Sequence, residues 1–374
     1  MESLPQELID KIIDNIPHSS LRSCSSVARR WRRRSQERLF AWVLFGFEGK
    51  LDAWCTDIPQ DPGGIPSYVR FVRFRNITSW NEPELFGRVL KKFTSMTMLW
   101  ITNTRIPRPD RVLNSVPFGE FGKKVECLML CSPRCTAATI TFLVLSLPNL
   151  EDFLLSGTVW EKPLVVLPPA SRRSPLKALR LYASYSTVGT ALARCGLISC
   201  ALSLAIYEPG LEQLLTLSSD VIVELGLSCM YSLRTQAAET MLTCLTDQYP
   251  SSNEPLPVVS LPPFPALTTV NITLCSHEPF ARLAHILSSI YATPVLTSIT
   301  FKSEDWDPGR YYYSGPWIDV DEWLARMAMQ VEVEGRLTVI LARWPKDEPV
   351  WRRYFPEFRR AGGELRMKTV DEDD

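Results

Sequence analysis

The sequence predicts an α/β chain: a short three-helix unit at the N-terminus, then an irregular solenoid of βα repeats of about 25–29 residues each. Three observations carry this. Residues 4–17, LPQELIDKIIDNIP, hold one broad apolar helix stripe between two prolines. The pattern apolar-x-x-apolar-x-apolar recurs nine times between Val69 and Phe301, with all gaps but one between 21 and 29 residues. Helical periods stand between several of these runs.

In the first segment Leu8, Ile9, Ile12, Ile13 and Ile16 fall on one side of a helix that Pro17 ends. Ser19 or Ser20 can cap a second helix carrying Leu21 and Cys24. Val27 and Trp31 lie four apart on a third, whose other faces carry Arg29, Arg30, Arg32, Arg33, Arg34 and Arg38. A unit below about 40 residues buries too little apolar surface to hold itself in order. The stripe must therefore be covered by the rest of the chain or by another protein.

The spacing Leu4-Pro5, Glu7-Leu8-Ile9, Ile12-Ile13, Ile16-Pro17, Leu21, Cys24, Val27 and Arg30-Trp31, closed by Leu39-Phe40, resembles an F-box. The resemblance covers about 40 of 374 residues. It implies three helices packed on a Skp-type linker protein that joins them to a cullin-RING ubiquitin ligase. It also implies that Leu4, Pro5, Leu8, Ile12, Ile13, Leu21, Val27 and Trp31 are the linker-facing or core set. Six arginines make the third helix unusually basic for that family. By itself RRWRRR would suit a nuclear-import or nucleic-acid patch, but no further basic cluster accompanies it, and a solvated helix face accounts for it.

The nine apolar patterns begin at Val69, Met96, Val125, Leu150, Leu176, Ala201, Ile222, Leu267 and Leu296, with separations of 27, 29, 25, 26, 25, 21, 45 and 29. At 45% hydrophobic content about 9% of positions would match by chance, so the spacing decides. Most gaps fall near the 20–29 residues of leucine-rich repeats. Helical faces follow at Leu85, Phe86, Val89, Leu90 and Phe93; at Ala237, Ala238, Met241, Leu242 and Leu245; and at Phe280, Leu283, Ile286, Leu287 and Ile290. Only LTTVNITLC, ending in Cys275, matches the longer repeat consensus, so the repeats are degenerate and the competing fold is an irregular α/β domain. Residues 250–265 read as a proline-rich loop and 303–316 as an aromatic one. Beyond them a helix around VDEWLARMAMQV, a strand from Leu337, a helix around VWRRYFPEF and a strand near GELRM close the array. The expected domains are 1–45 for the helical unit, 46–67 for a linker and 68–374 for the repeats.

An F-box followed by irregular leucine-rich repeats is similar to the substrate-receptor class of F-box proteins, particularly the diverged families abundant in fungi. That implies a non-catalytic scaffold which holds a protein target while the ligase supplies ubiquitin. In such a solenoid the x positions within and just after each strand face the concave side. Here they offer Arg73, Arg75, Trp100, Asn103, Arg180, Tyr182 and Tyr207 as target-binding candidates, with an acidic or phosphorylated target favoured by the arginines.

Composition narrows the remaining classes. Lys plus Arg and Asp plus Glu both number 41, so no global field draws the chain to nucleic acid or to a membrane. Ten scattered cysteines without a C-x-x-C pair, and no signal-peptide layout, point to a reducing compartment, cytoplasm and/or nucleus. No apolar run approaches the roughly 18 residues of a membrane helix. The groups Cys127, Cys131, Cys135 and Cys275, His277, Glu278, His285 lack the paired spacing of metal sites. Three histidines leave few places for a nucleophilic catalytic set, and no Gly-rich nucleotide motif occurs. The expectation is no cofactor, no metal and no catalysis. Two rival readings remain: a repeat interaction protein whose N-terminal helices cap its own solenoid, and a hydrolase or metalloenzyme centred on His277 or His285.

Overall fold

A computed structural model of the chain describes residues 4–46, 54, 64–77, 83–106, 122–157, 176–182, 188–205, 211–228, 263–274, 286–287, 290, 295–303, 316–330, 337–342 and 355–368. It divides into two compact units, residues 1–165 and 166–374. The expected helix at residues 237–245, the residues Phe280 and Leu283, and most of both expected loops lie outside the described residues.

The first unit opens with α1 (Gln6–Asp14), a 3-10 turn (His18–Ser20), α2 (Leu21–Val27) and α3 (Arg29–Leu39). Then come β1 (Trp42–Phe45), α4 (Ile65–Tyr68), β2 (Phe71–Arg75), α5 (Pro83–Lys92), β3 (Met98–Thr102), β4 (Cys127–Cys131), α6 (Ala137–Leu145) and β5 (Asp152–Ser156). The strands pair in chain order and in parallel, β1 with β2 through to β4 with β5. β1 has no counterpart among the sequence expectations: four residues directly after a helix, WVLF, read as the end of the helical unit. In the structure they add a rung to the sheet, with Leu44 opposite Arg73 and Phe45 opposite Phe74.

One pattern builds every rung. The apolar residues of each sequence run point inward, as with Val69, Val72 and Phe74 or Val125, Leu128 and Leu130, all buried. They meet the apolar face of the following helix, where Leu85, Phe86, Val89, Leu90 and Phe93 are buried as their spacing requires. At each strand entry one carbonyl accepts two successive amides: Ala41 from Arg70 and Phe71, Arg70 from Thr97 and Met98, Thr97 from Glu126 and Cys127. At the exits of β2 to β5 the chain turns through a left-handed residue, Asn76 (φ 59), Asn103 (φ 44), Ser132 (φ 48) and Gly157 (φ 89). Asparagine and glycine tolerate that conformation best. The turn amides extend the ladder by a rung, Asn76 N to Thr102 O at 3.0 Å and Asn103 N to Cys131 O at 2.8 Å.

The second unit holds β6 (Leu176–Tyr182), α7 (Val188–Arg194), β7 (Ser199–Ala205), α8 (Leu211–Ser218), β8 (Glu224–Ser228), β9 (Thr269–Leu274), β10 (Ser298–Ser303), α9 (Pro316–Gln330), β11 (Thr338–Ala342), α10 (Pro356–Arg360) and β12 (Glu364–Lys368). β6 to β12 also pair in parallel and in chain order. The expected run at Ala201, Leu204 and Ile206 is out of register by two. The inward residues are Ser199, Leu202 and Leu204. Ser199 stands where an aliphatic residue was sought, and its buried hydroxyl is satisfied by donating to Ala201 O at 2.7 Å. With Ser199 as the start, this repeat lies 23 residues after Leu176 and 23 before Ile222.

Candidate partner-binding surfaces

Two surfaces carry the candidate residues, and both belong to the first unit apart from Arg180, Tyr182 and Tyr207. On the helices, Ile9, Ile13 and Leu21 form a small core against which Ile16, Trp31 and Leu39 pack. The broad stripe of α1 is thereby split. Successive residues on a helix are about 100° apart, so with Ile9 and Ile13 turned inward, Leu8 and Ile12 look outward. Leu4, Leu8, Ile12 and Val27 are 41–68% exposed, and Pro5 is exposed as well. Of the eight residues proposed from sequence, Ile13 and Leu21 are therefore core, Trp31 is half-buried against that core, and Leu4, Pro5, Leu8, Ile12 and Val27 present themselves to solvent.

The basic third helix has a structural use. Arg34 grips Asp14 with Nε to Oδ1 at 2.8 Å and Nη2 to Oδ2 at 2.9 Å, and reaches Glu37 at 3.1 Å. Arg38 donates to the carbonyls of Ile13 and Ile16, the last at 3.0 Å, which neutralises the carbonyl end of α1. Gln6 Nε2 donates to Arg30 O at 3.1 Å from the other end of α1. The Arg34 guanidinium holds the Asp14 carboxyl below its ordinary range and is itself pushed up by that partner.

On the sheet of the first unit, residues that alternate with the core look out. The register aligns Leu44, Arg73, Trp100, Met129 and Leu154 in one row across five strands. The Arg73 guanidinium lies 3.6 Å from the centroid of the Trp100 ring. In the row toward the strand starts, Trp42 stacks on Phe71 with centroids 4.3 Å apart. Trp42 and Leu44 are each more than half exposed. Arg75 is exposed two residues beyond Arg73. Asn103 belongs to the turn: its Nδ2 donates to Asn76 Oδ1 at 3.1 Å and its Oδ1 accepts from Arg134 Nε at 3.2 Å. Arg73, Arg75, Trp100 and Asn103 are thus brought together. In the second unit Arg180 and Tyr182 are half-buried on β6, while Tyr207 lies outside the described residues. Sequence reasoning passed over Trp42, Leu44, Met129 and Leu154. An apolar residue is read as core by default, and only the strand alternation marks these as outward.

Among the described residues Cys127, Cys131 and Cys135 form no metal-holding group. Cys135 is buried and its thiol is pushed up by that burial, whereas Cys127 and Cys131 are half-exposed and Cys131 Sγ accepts from Trp100 Nε1 at 3.3 Å. Among the described residues no group of three His, Cys, Asp or Glu is placed to hold a metal ion. Cys275, His277, Glu278 and His285 lie outside them. No helix among the described residues is long and apolar enough to cross a membrane.

Comparison with known families gives one match. The F-box domain model matches residues 1–40, the span that holds α1 to α3. No curated protein shows a significant match to the chain.

Proposed function

We propose that the chain is the substrate-recognition subunit of an SCF-type, Skp–cullin–F-box ubiquitin ligase. The observation that carries the reading is the outward row Leu4, Leu8 and Ile12 on the matched F-box domain, apolar and left exposed among the described residues. Such a row is what a Skp-type linker would cover. Its neighbours Ile9 and Ile13 already hold the helices together from the inside. F-box proteins are typically non-catalytic adaptors; their contribution is geometric, since a lysine held near the conjugating enzyme gains effective concentration.

Strands paired in chain order, with a helix after several of them, support a leucine-rich-repeat reading of residues 68–374 of the diverged kind found in fungal F-box families. Residues 1–45 are then the F-box and 46–67 the connection. The target would be a protein held on the outward sheet face at Arg73, Arg75 and Trp100, with Arg180, Tyr182 and Tyr207 as further candidates, in a cytoplasmic or nuclear setting.

Coexpression tests the reading. Full-length chain should copurify with a Skp-type linker, and Ile12→Asp or Leu8→Asp should abolish copurification while leaving the fold intact. A chain that is monomeric alone, ignores the linker and collapses when residues 1–40 are deleted would instead favour N-terminal helices that merely cap the repeats.

A further inference from the structure

The outward sheet face of the first unit has a composition that the fold does not require. An outward sheet face in water ordinarily alternates to polar residues. In the second unit it mostly does: the row through Arg180 continues as Ser203, Gly226, Asn271, Thr300, Ile340 and Arg366, with one apolar residue. In the first unit the same kind of row is Leu44, Arg73, Trp100, Met129 and Leu154. Tryptophan, methionine and arginine are the side chains that interfaces favour, and methionine adapts to irregular partners.

The charges on this face are one-sided. Arg73 has its guanidinium over Trp100, and its Nε is buried with no hydrogen-bond partner among the described residues. Arg75, exposed, has no carboxylate partner among the described residues. Of the three outward rows only Asp152 is acidic, and it lies at the start of β5, away from both arginines. Arg134, the next cation, is occupied by Asn103.

We propose that this face receives an extended, carboxylate-bearing segment of a partner protein, its apolar side chains on the Leu44 to Leu154 row and an Asp or Glu on Arg73 and Arg75. The proposal rests on the receptor reading above and narrows it to one site and one chemistry. Five strands at about 4.8 Å spacing make a row of about 19 Å, the length of roughly six extended residues. At the β1 end the face runs into a cavity of about 540 Å³ bordered by Leu39, Trp42, Leu44 and Trp54, which offers room for an apolar anchor. An arginine whose plane is stacked on an aromatic ring offers its N–H edge, which fits the two oxygens of a carboxylate.

The test is selection of a displayed library of random dodecapeptides on the full-length chain, followed by affinity measurement of resynthesised peptides by fluorescence anisotropy. The expected pool is rich in aliphatic and aromatic residues with an obligatory Asp or Glu. Changing that residue to Asn or Gln should weaken binding about tenfold or more, as should Arg73→Ala or Arg75→Glu in the protein. Arg75 is exposed, so its variant keeps the fold. The proposal falls if the pool is not acidic, if binding is indifferent to both arginines, or if phosphoserine in place of the acid binds more than about tenfold tighter. Peptide binding retained in an Ile12→Asp chain supports the site whatever the linker does. Linker binding without acidic-peptide binding overturns the site alone.

Discussion

Asp321 on α9 accepts the backbone N–H groups of Phe358 at 2.9 Å and of Glu357 at 3.0 Å, so the carboxylate of one helix caps the start of another 36 residues later. The capped helix α10 begins after Phe355, whose backbone is left-handed (φ 52) and whose ring stacks on Phe301 at 5.6 Å. Burial raises the Asp321 carboxyl, and the two N–H groups pull it partly back.

Asp321→Ala should therefore cost about 1–3 kcal/mol, because two donors lose their acceptor. Because its folded-state value lies above the unfolded one, the linked stability of this group is fully present below about pH 4 and is lost as pH rises through the raised value. Urea unfolding of wild type, Asp321→Ala and Asp321→Asn across pH 3–7 checks both: the alanine variant should be less stable at low pH, and both variants should lack that decline.

Asp14 carries the opposite sign. Its carboxyl is lowered by Arg34, so its contribution is present above the unfolded value of about 4 and disappears as pH falls through the lowered one. Both partners are about two-fifths exposed, so solvent screening holds the loss in Asp14→Asn to no more than about 1 kcal/mol. Thermal unfolding at pH 7 and at pH 3 should show a gap at the first that narrows at the second.

Adjacent residues of α1 should separate stability from partner binding. Ile13→Ala removes a fully buried side chain from a small core and should cost about 2–5 kcal/mol. Ile12→Asp, on the outward row, should change stability by less than about 0.5 kcal/mol. Denaturant midpoints of the two variants, read beside the linker pull-down, test this.

Gly157 ends β5 at φ 89, and a Cβ there would stand 2.5 Å from Ser132 Oγ. Gly157→Ala should cost more than about 1 kcal/mol through the left-handed backbone alone. Asn103→Ala should cost a similar amount, since it loses both the conformational preference and the bonds to Asn76 and Arg134. Melting temperatures of both variants check this, and Asn103→Gly should recover part of the loss.

Much of the fold was legible because burial leaves a periodic trace. The strand runs starting at Val69, Met96, Val125, Leu150, Leu176, Ile222, Leu267 and Leu296 all point inward as written. The trace failed where a buried position is polar, as at Ser199, whose hydroxyl finds its acceptor locally. It failed also for β1, too short to show alternation beside a helix. The turn signal was present and unread: an asparagine, serine or glycine stands two residues after the last inward apolar residue of β2 to β5. The helical surface was legible from the doubled aliphatics, but which member of each pair is core depends on how three helices close. The sheet surface was half legible. Arginine and tryptophan announce an outward position, whereas Leu44, Met129 and Leu154 do so only once their neighbours' register is known.

Phe40 and Ala41 are the whole of the passage from α3 to β1. The first strand of the sheet thereby follows the matched F-box domain after a link of two residues, like a handle set close to its blade. On the proposed reading a partner on the helices would also aim the strand, and a few glycine and serine residues spliced in at position 41 should lower ubiquitin transfer while leaving linker and peptide binding intact.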